Sequence, residues 1–165
     1  TLKKSIIKIL DRLGPAKIVV VSSSPQIRYP DCYGIDMAKL QDFIAFRAAV
    51  ELLKETGREE LLEKLYIEAK AEMMKPVTEM RNLVKEIYRP FDPHDVSMKI
   101  AHMLRNDNIK AKVEIVFQTV EALHEACPGH LGDWYFTGDY PTPGGNKVAN
   151  QSYINFFEGI NARAY

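Results

Sequence analysis

The chain has 165 residues, enough for one domain with a hydrophobic core, and its content of 46% hydrophobic and 27% charged residues is ordinary for a globular protein. The 22 basic and 22 acidic residues cancel, so the formal charge gives no electrostatic signature of binding to nucleic acid or to an anionic membrane. No apolar run approaches the roughly 20 residues of a membrane helix. Two cysteines, Cys32 and Cys127, argue against a disulfide scaffold and fit a reducing cytoplasm.

The chain enters a helical pattern at its first residue. Thr1 is a suitable N-cap, and Gly14-Pro15 is a suitable stop. We expect no signal peptide, and we expect a fragment whose first residue cuts through a domain. The apolar stripe of the predicted helix consists of Leu2, Ile6, Ile7, Ile9, Leu10 and Leu13.

A buried parallel strand is predicted over Lys17 to Ser23, because its apolar residues are continuous and do not alternate. The strand leads through small hydroxyl residues into the segment Pro25 to Met37, where two prolines keep the chain extended. Ligands bind at the carboxyl edge of open parallel sheets, so this loop is a candidate site. The alternative is a rigid loop in which the tyrosines pack and Arg28 pairs with Asp36.

A mostly helical block follows from Ala38 to about Arg105. The apolar periodicity predicts one helix ending at Gly57, a second stopping near Lys75, and a third with Pro76 at its first position. Asp92 is then predicted as the N-cap of a fourth helix, which carries Pro93 at position N1. This block contains no pattern typical of catalysis, and we expect it to support, cover or oligomerise the rest.

The last third of the chain begins with alternation over Lys112 to Gln118, which predicts a second strand. Thr119 is predicted to cap a short helix through Ala126. The tail from Leu131 is expected to hold little regular structure before Ser152. Its aromatic residues could stack a base or a sugar, or could pin the tail to the body of the protein: Trp134, Tyr135, Phe136 and Tyr140.

Cys127 and His130 have half of a zinc-type spacing. A structural zinc site needs four ligands, and no second matching pair is present. A cysteine–histidine nucleophilic pair is a further alternative, with nothing distinctive around it. We therefore predict no metal site and assign no catalytic residue.

The loop segment carries a resemblance to a known family. Ile27-Arg28-Tyr29-Pro30 followed by Tyr33-Gly34-Ile35-Asp36-Met37 resembles the signature after the active-site strand of amidophosphoribosyltransferases. Thr1 resembles the last residue of that family's phosphate loop, V-D-D-S-I-V-R-G-T-T. Phe136-Thr137-Gly138 with Tyr140-Pro141-Thr142 resembles a late F-T-G-x-Y-P-T stretch, and Val113 to Leu123 resembles the late strand and short helix.

The resemblance implies an α/β fold: part of a type I phosphoribosyltransferase-like parallel sheet, a mostly helical insertion and an aromatic, loop-rich C-terminal tail. The implied boundaries are 1–46 for the trailing half of the phosphoribosyltransferase domain, 47–110 for the insertion and 111–165 for the final strand, helix and tail. Thr1 and Leu2 would lie at the substrate 5′-phosphate. Arg28, Tyr29, Tyr33 and Asp36 would form a wall of the substrate or nucleotide site.

The implied activity belongs to the whole enzyme, a cytoplasmic glycosyltransferase of de novo purine biosynthesis. It makes 5-phosphoribosylamine from phosphoribosylpyrophosphate, bound with Mg²⁺, and ammonia released from glutamine. Purine nucleotide inhibitors and a homo-oligomer are expected, whereas nucleic acid and membrane partners are not. The paired aspartates of the phosphate loop and the N-terminal nucleophilic cysteine are outside this sequence, so we expect the chain alone to be inactive.

An iron–sulfur cluster, which some members hold with four cysteines, is not expected. Cys32 is shifted by one residue relative to the P-C-F-Y-G-I-D version of the signature, and His130 stands where a C-x-x-C pair would have its second thiolate. Two other functions stay open: a non-catalytic helical interaction module, and a phosphoribosyltransferase homologue without a glutaminase domain.

Overall fold

The computed structural model describes residues 2–33, 36–105, 107–129 and 132–164. In these ranges the protein is α/β, with a two-stranded parallel sheet and mostly helices around it. The strands are β1 (Lys17–Ser22) and β2 (Lys112–Phe117). The α-helices are α1 (Ile7–Asp11), α2 (Ile44–Glu55), α3 (Glu60–Glu72), α4 (Lys85–Tyr88), α5 (Pro93–Leu104), α6 (Val120–Ala126), α7 (Trp134–Thr137) and α8 (Pro143–Phe157).

The two strands pair in parallel, with Lys17 opposite Lys112 and Ser22 opposite Phe117. Their predicted ends are correct within one residue. The prediction that the first strand is buried is wrong, because Ile18 is buried but Val19 and Val21 are exposed. Ile18 and Val113 face the core, where α5 packs against β2, and Glu114 on the other side accepts salt bridges from Lys17 and Lys112. The sheet therefore brings the carboxyl ends of both strands to the same edge.

The start of the chain departs from the predicted regular helix. Residues Leu2–Ile6 form a π-helical turn, and α-helical geometry extends only from Ile7 to Asp11. Of the predicted stripe, Ile7 is fully buried, whereas Ile9 and Leu13 are exposed. The carboxylate of Asp11 instead accepts hydrogen bonds from the backbone N–H groups of Lys110 and Ala111, which ties α1 to the entrance of β2.

The fourth predicted helix begins as expected. The Asp92 side chain accepts from the His94 N–H at 2.7 Å, and the Asp95 carboxylate accepts from the Asp92 N–H at 3.3 Å, which completes a capping box with Pro93 at N1. Thr119 likewise caps α6 by accepting from the Ala122 N–H.

The third predicted helix, with Pro76 at its first position, is wrong. Residues Val77–Glu79 form a 3₁₀ turn, and α-helix appears only at Lys85–Tyr88. The backbone between them is bound by side chains from elsewhere in the fold. Asn150 accepts from the Leu83 N–H and donates to the Arg81 carbonyl, and Asn146 donates to the Met80 carbonyl.

The expectation of little regular structure in the tail before Ser152 is also wrong. Helix α8 begins at Pro143 and runs for 15 residues, and its inner face is buried against α3 and the turn at Leu40–Asp42. Tyr153 is buried and donates to the Leu62 carbonyl, and Ser152 accepts from the Leu40 N–H. Buried residues from all three predicted ranges, 1–46, 47–110 and 111–165, contribute to one core, and the boundaries between those ranges stay predictions.

Candidate ligand-binding site at the carboxyl edge of the sheet

The loop after β1 is held in place from its first residues. The Ser22 hydroxyl donates to the Ser24 carbonyl at 3.0 Å and accepts from the Ser24 N–H at 3.3 Å, which turns the chain as it leaves the strand. Pro25 and Gln26 are then buried. The loop is consequently a fixed part of the fold at the edge where parallel sheets bind ligands.

A cavity of about 400 Å³ opens at this edge. Its floor includes the last residue of each strand, Ser22 and Phe117. One wall comes from the loop after β1, and the other comes from Met37 and the residues that lead into α2. The full lining comprises Ser22, Ser24, Pro25, Gln26, Ile27, Met37, Asp42, Phe43, Ile44, Ala45 and Phe117.

Gln26 is the polar anchor beneath the loop. Its side-chain N–H₂ donates to the Pro93 carbonyl and to the Ser97 hydroxyl, both at 2.8 Å, at the start of α5. Its side-chain carbonyl accepts from Arg28 at 2.7 and 3.1 Å. The amide is therefore satisfied at both ends, and it fixes the position of the Arg28 guanidinium.

Two tyrosines pack beneath Arg28. The guanidinium lies 5.0 Å from the centre of the Tyr88 ring, and the Tyr88 hydroxyl donates to the Arg28 carbonyl at 2.9 Å. Tyr29 contacts Tyr88 edge to face, with ring centres 5.6 Å apart. Burial raises the pKa of both phenols well above 10, more than the neighbouring Arg28 charge lowers them, so both stay protonated.

The aromatic tail packs on the other side of the same loop. The Tyr135 carbonyl accepts from the Arg28 and Tyr29 N–H groups at 2.8 and 3.1 Å. The Tyr140 hydroxyl donates to the Pro30 carbonyl at 2.7 Å. These contacts agree with the alternative in which the tail aromatics pin the tail to the body of the protein.

Tyr33 has a more exposed position near the end of the loop. Its hydroxyl lies 3.0 Å from the Thr142 hydroxyl, and its ring contacts Trp134 edge to face with centres 5.9 Å apart. Tyr33 therefore also joins the loop to the tail, while most of its ring faces solvent.

None of the predicted site residues that the structure describes is among the residues that line the cavity. Thr1 lies outside the described residues, and Leu2 is half-buried in the π-helical turn. Arg28 is half-buried, Tyr29 is 4% exposed, and Tyr33 and Asp36 are exposed. The alternative pairing of Arg28 with Asp36 is replaced by the bond from Arg28 to Gln26.

Sequence reasoning singled out the strand end and the loop, but missed the part of the cavity lining that comes from residues 42–45 and from Phe117. Asp42 and Phe43 lie in the segment before α2, which the sequence analysis assigned to the mostly helical block. Phe117 was part of the predicted second strand, and its place near the end of that strand was the available signal, because parallel strands share a carboxyl edge.

The candidate metal and nucleophile residues are not assembled in the part of the chain that the structure describes. Cys127 is exposed at the end of α6, Cys32 is half-buried, and His130 lies outside the described residues. Within those ranges, no three histidine, cysteine or acidic side chains converge on one point.

The lining of the cavity combines apolar walls with a few polar groups. Its polar groups are the hydroxyls of Ser22 and Ser24, the buried amide of Gln26 and the carboxylate of Asp42. The other lining residues are apolar and include two phenylalanines, Phe43 and Phe117. Cavities with apolar walls and a few placed polar groups are typical of small-molecule sites.

Comparison with known proteins finds two partial relatives. The chain is 36% identical over 63 residues to an amidophosphoribosyltransferase of Pasteurella multocida, a match that covers 38% of this chain and 12% of that protein. It is 36% identical over 55 residues to an amidophosphoribosyltransferase of Haemophilus influenzae, covering 33% and 11% respectively. No family model and no solved structure matches the chain.

Proposed function

We propose that the chain is the C-terminal part of an amidophosphoribosyltransferase, which makes 5-phosphoribosylamine from phosphoribosylpyrophosphate and glutamine-derived ammonia in de novo purine biosynthesis. The observation that carries the proposal is the loop Pro25–Tyr33, which bears the signature and borders a cavity at the carboxyl edge of two parallel strands. The two relatives with that activity in their names support it. The matched stretch spans only about an eighth of each relative, so the activity of the whole protein is part of the proposal.

In this reaction C1 of the ribose develops oxocarbenium character, so the protein must hold the substrate in line and exclude water. The loop is suited to such a wall, because Gln26, Tyr88 and the Tyr135 carbonyl hold Arg28 in place. Leu2, with Thr1, would border the 5′-phosphate. Arg28, Tyr33 and Asp36 would line the approach to the cavity, and Tyr29 would support them from beneath.

We assign no residue of this chain to the Mg²⁺ that accompanies phosphoribosylpyrophosphate. Magnesium prefers oxygen ligands, and the described residues bring no three candidate ligand side chains together. Asp42 lines the cavity, whereas Asp31 is not part of the lining and accepts a hydrogen bond from the Tyr33 N–H.

Thermal melting of the purified chain with phosphoribosylpyrophosphate tests the binding part of the proposal. Ligand that binds only the folded state raises the melting temperature, and we expect a rise with phosphoribosylpyrophosphate and with purine monophosphates. Sulfate at matched ionic strength is the control for general anion effects. Absence of any response contradicts the proposed binding, and phosphoribosylamine synthesis by the isolated chain contradicts its proposed inactivity.

A second candidate is a non-catalytic interaction module. The apolar residues that are exposed on β1 and β2, among them Val21 and Val116, favour an interaction through the sheet and not through the helices expected from the sequence. Equilibrium sedimentation separates the two candidates. Self-association without any nucleotide response favours the module, whereas stabilisation by nucleotides favours the enzyme.

A further inference from the structure

A second cavity of about 400 Å³ lies in the helical block, where the end of α2 meets the start of α5. Among the described residues, it shares no lining residue with the cavity at the sheet edge. Its volume is within the roughly 300–1,000 Å³ that is usual for small-molecule sites. The described residues that line it are half apolar and half polar: Leu52, Phe91, Met98, Thr56, Asp95 and Lys99.

Lys99 supplies the positive charge of this second cavity from a nearly covered position. Its side chain is 10% exposed, and its ammonium donates to the carboxylate of Glu55 on α2, which is 55% exposed. An ammonium has three N–H donors, so Lys99 can bind a further acceptor in the cavity while it keeps the bond to Glu55. A charge in so covered a position attracts an opposite charge more strongly than one in open water does.

Asp95 supplies the negative charge from one turn earlier on the same helix. An acid four residues before a lysine commonly pairs with it, because their Cβ atoms are only about 5–6 Å apart on the helix surface. Here Lys99 binds Glu55 instead, and among the described residues Asp95 forms no salt bridge and accepts from the Asp92 N–H at 3.3 Å. Two opposite charges therefore line one cavity without pairing with each other.

The other lining groups favour a ligand with an apolar body. The Thr56 hydroxyl donates to the Leu52 carbonyl at 2.7 Å, so it offers only its lone pairs to a ligand. A ligand with an ammonium alone would leave the further donors of Lys99 unused, and one with a carboxylate alone would meet the unpaired charge of Asp95. The apolar surface is aliphatic, aromatic and thioether in character and comes from Leu52, Phe91 and Met98.

We infer that this second cavity binds a free apolar α-amino acid. The ammonium of the ligand donates to Asp95, and its carboxylate accepts from Lys99. Its side chain packs on Leu52, Phe91 and Met98. Both charged groups of an α-amino acid are attached to the same carbon atom, which suits an acceptor and a donor that are one helical turn apart. The inference does not rest on the proposed enzyme function, because it concerns a different cavity and a different class of ligand.

Isothermal titration calorimetry of the chain with L-leucine tests the inference, and two analogues separate the two charges. Leucinamide keeps the ammonium but lacks the carboxylate, whereas 4-methylpentanoate keeps the carboxylate but lacks the ammonium. We expect each analogue to bind about tenfold more weakly than leucine, because each loses one charge-assisted hydrogen bond. Absence of saturable leucine binding overturns the inference, and so does an analogue that binds as tightly as leucine.

Two variants assign the two charges to their residues. Asp95→Asn keeps an oxygen that can accept from the Asp92 N–H, and we expect it to weaken leucine binding about tenfold without weakening 4-methylpentanoate binding. Lys99→Met keeps the covered stem, and we expect it to weaken leucine binding about tenfold without weakening leucinamide binding. Lys54→Met is the matched control at an exposed position of α2 outside the lining, and it should leave all three affinities unchanged.

Leucine binding that either cavity variant leaves at the parent affinity overturns the inference, because the amino acid is then bound elsewhere. Circular dichroism of each variant checks that it is folded. The analogue series uses the parent chain, so it tests the inference even where a variant does not fold.

Discussion

Glu72, the last residue of α3, is a carboxylate whose side chain is only 3% exposed. It accepts hydrogen bonds from the Lys75 ammonium and from the Arg81 N–H, both at 2.7 Å. Burial acts to raise the pKa of Glu72, but these hydrogen bonds and the charges of Lys75 and Arg81 together lower it more, so the pKa lies below its usual 4.5. The Glu72 side chain thus binds two points, Lys75 and Arg81, of the irregular segment between α3 and α4.

The lowered pKa of Glu72 predicts how stability depends on pH. A carboxyl group with a lower pKa in the folded state contributes stability that is complete above its unfolded pKa and is lost as pH falls through the folded pKa. We expect Glu72→Gln to destabilise the protein at pH 7 and to flatten its loss of stability below about pH 4.5. Urea unfolding between pH 7 and pH 3 measures both effects, with the exposed Glu51→Gln as control. Parallel pH profiles for Glu72→Gln and the parent would contradict this account.

At the candidate site, the orientation of Arg28 depends on the residues that bind it. Arg28 stood out in the sequence as a charged residue between two prolines, but its orientation depends on Gln26, which in turn is bound by Pro93 and Ser97 on α5. These partners are about 70 residues away in sequence, so no local pattern could identify them. The buried Gln26 amide has hydrogen-bond partners at both its nitrogen and its oxygen, and this explains how the Arg28 guanidinium keeps one orientation.

At the level of elements, α8 organises the tail and the helical block together. Its first turn contains two glycines, which are poor helix formers, yet Gly145 lies so close to Tyr140 that a side chain there would overlap the Tyr140 ring and its Cβ. Tyr140 in turn donates to the Pro30 carbonyl of the candidate-site loop. The start of α8 therefore sets the position of the tail against the loop.

Substitution of the two glycines tests this close approach. We expect Gly145→Ala to cost about 1–3 kcal/mol of unfolding free energy, because the added methyl group must displace Tyr140. Gly144→Ala is the matched control one residue earlier, where the nearest atom to an added Cβ is the Thr142 hydroxyl at 3.9 Å, and we expect neutral or slightly raised stability. Thermal or urea unfolding measures the difference, and equal stability of the two variants would show that Tyr140 moves without cost.

At the scale of the molecule, the described residues leave one side of the sheet without a covering layer. Val21 and Val116 pair in register and are 73% and 51% exposed, and Val19 on the same face is also exposed. Parallel sheets are usually covered on both faces. The exposed valines lie next to each other and form a surface suited to packing against further protein. No helix in the described part of the chain is both long and apolar enough to cross a membrane.

We expect this valine surface to drive self-association of the isolated chain. The double variant Val21→Thr, Val116→Thr keeps strand propensity but makes the surface more polar, so it should weaken association and change the melting temperature little. Sedimentation equilibrium over a range of concentrations measures the effect. Ile67→Thr is the control at an exposed position on α3, 61% exposed. Association that persists equally in the double variant would assign it to another surface.

The sequence by itself determined the features that depend on neighbours along the chain. The two strands follow from continuous or alternating apolar residues, and the start of α5 follows from Asp92, Pro93 and Asp95, because caps act within one turn. The α/β class and the candidate loop at the strand end also followed from local pattern. The partial relatives agree with the family resemblance, which rested on a short ordered motif.

Only the tertiary structure decided the elements that depend on distant partners. Residues 80–84 are not helical because Asn146 and Asn150 bind their backbone from α8, and α8 forms despite its two glycines because its inner face is buried. The cavity likewise joins Ser24, Asp42 and Phe117, three segments with no common sequence pattern. Burial and long-range hydrogen bonds there outweigh local propensities of about 1 kcal/mol per residue, which is why local pattern alone predicted the loop but not the cavity.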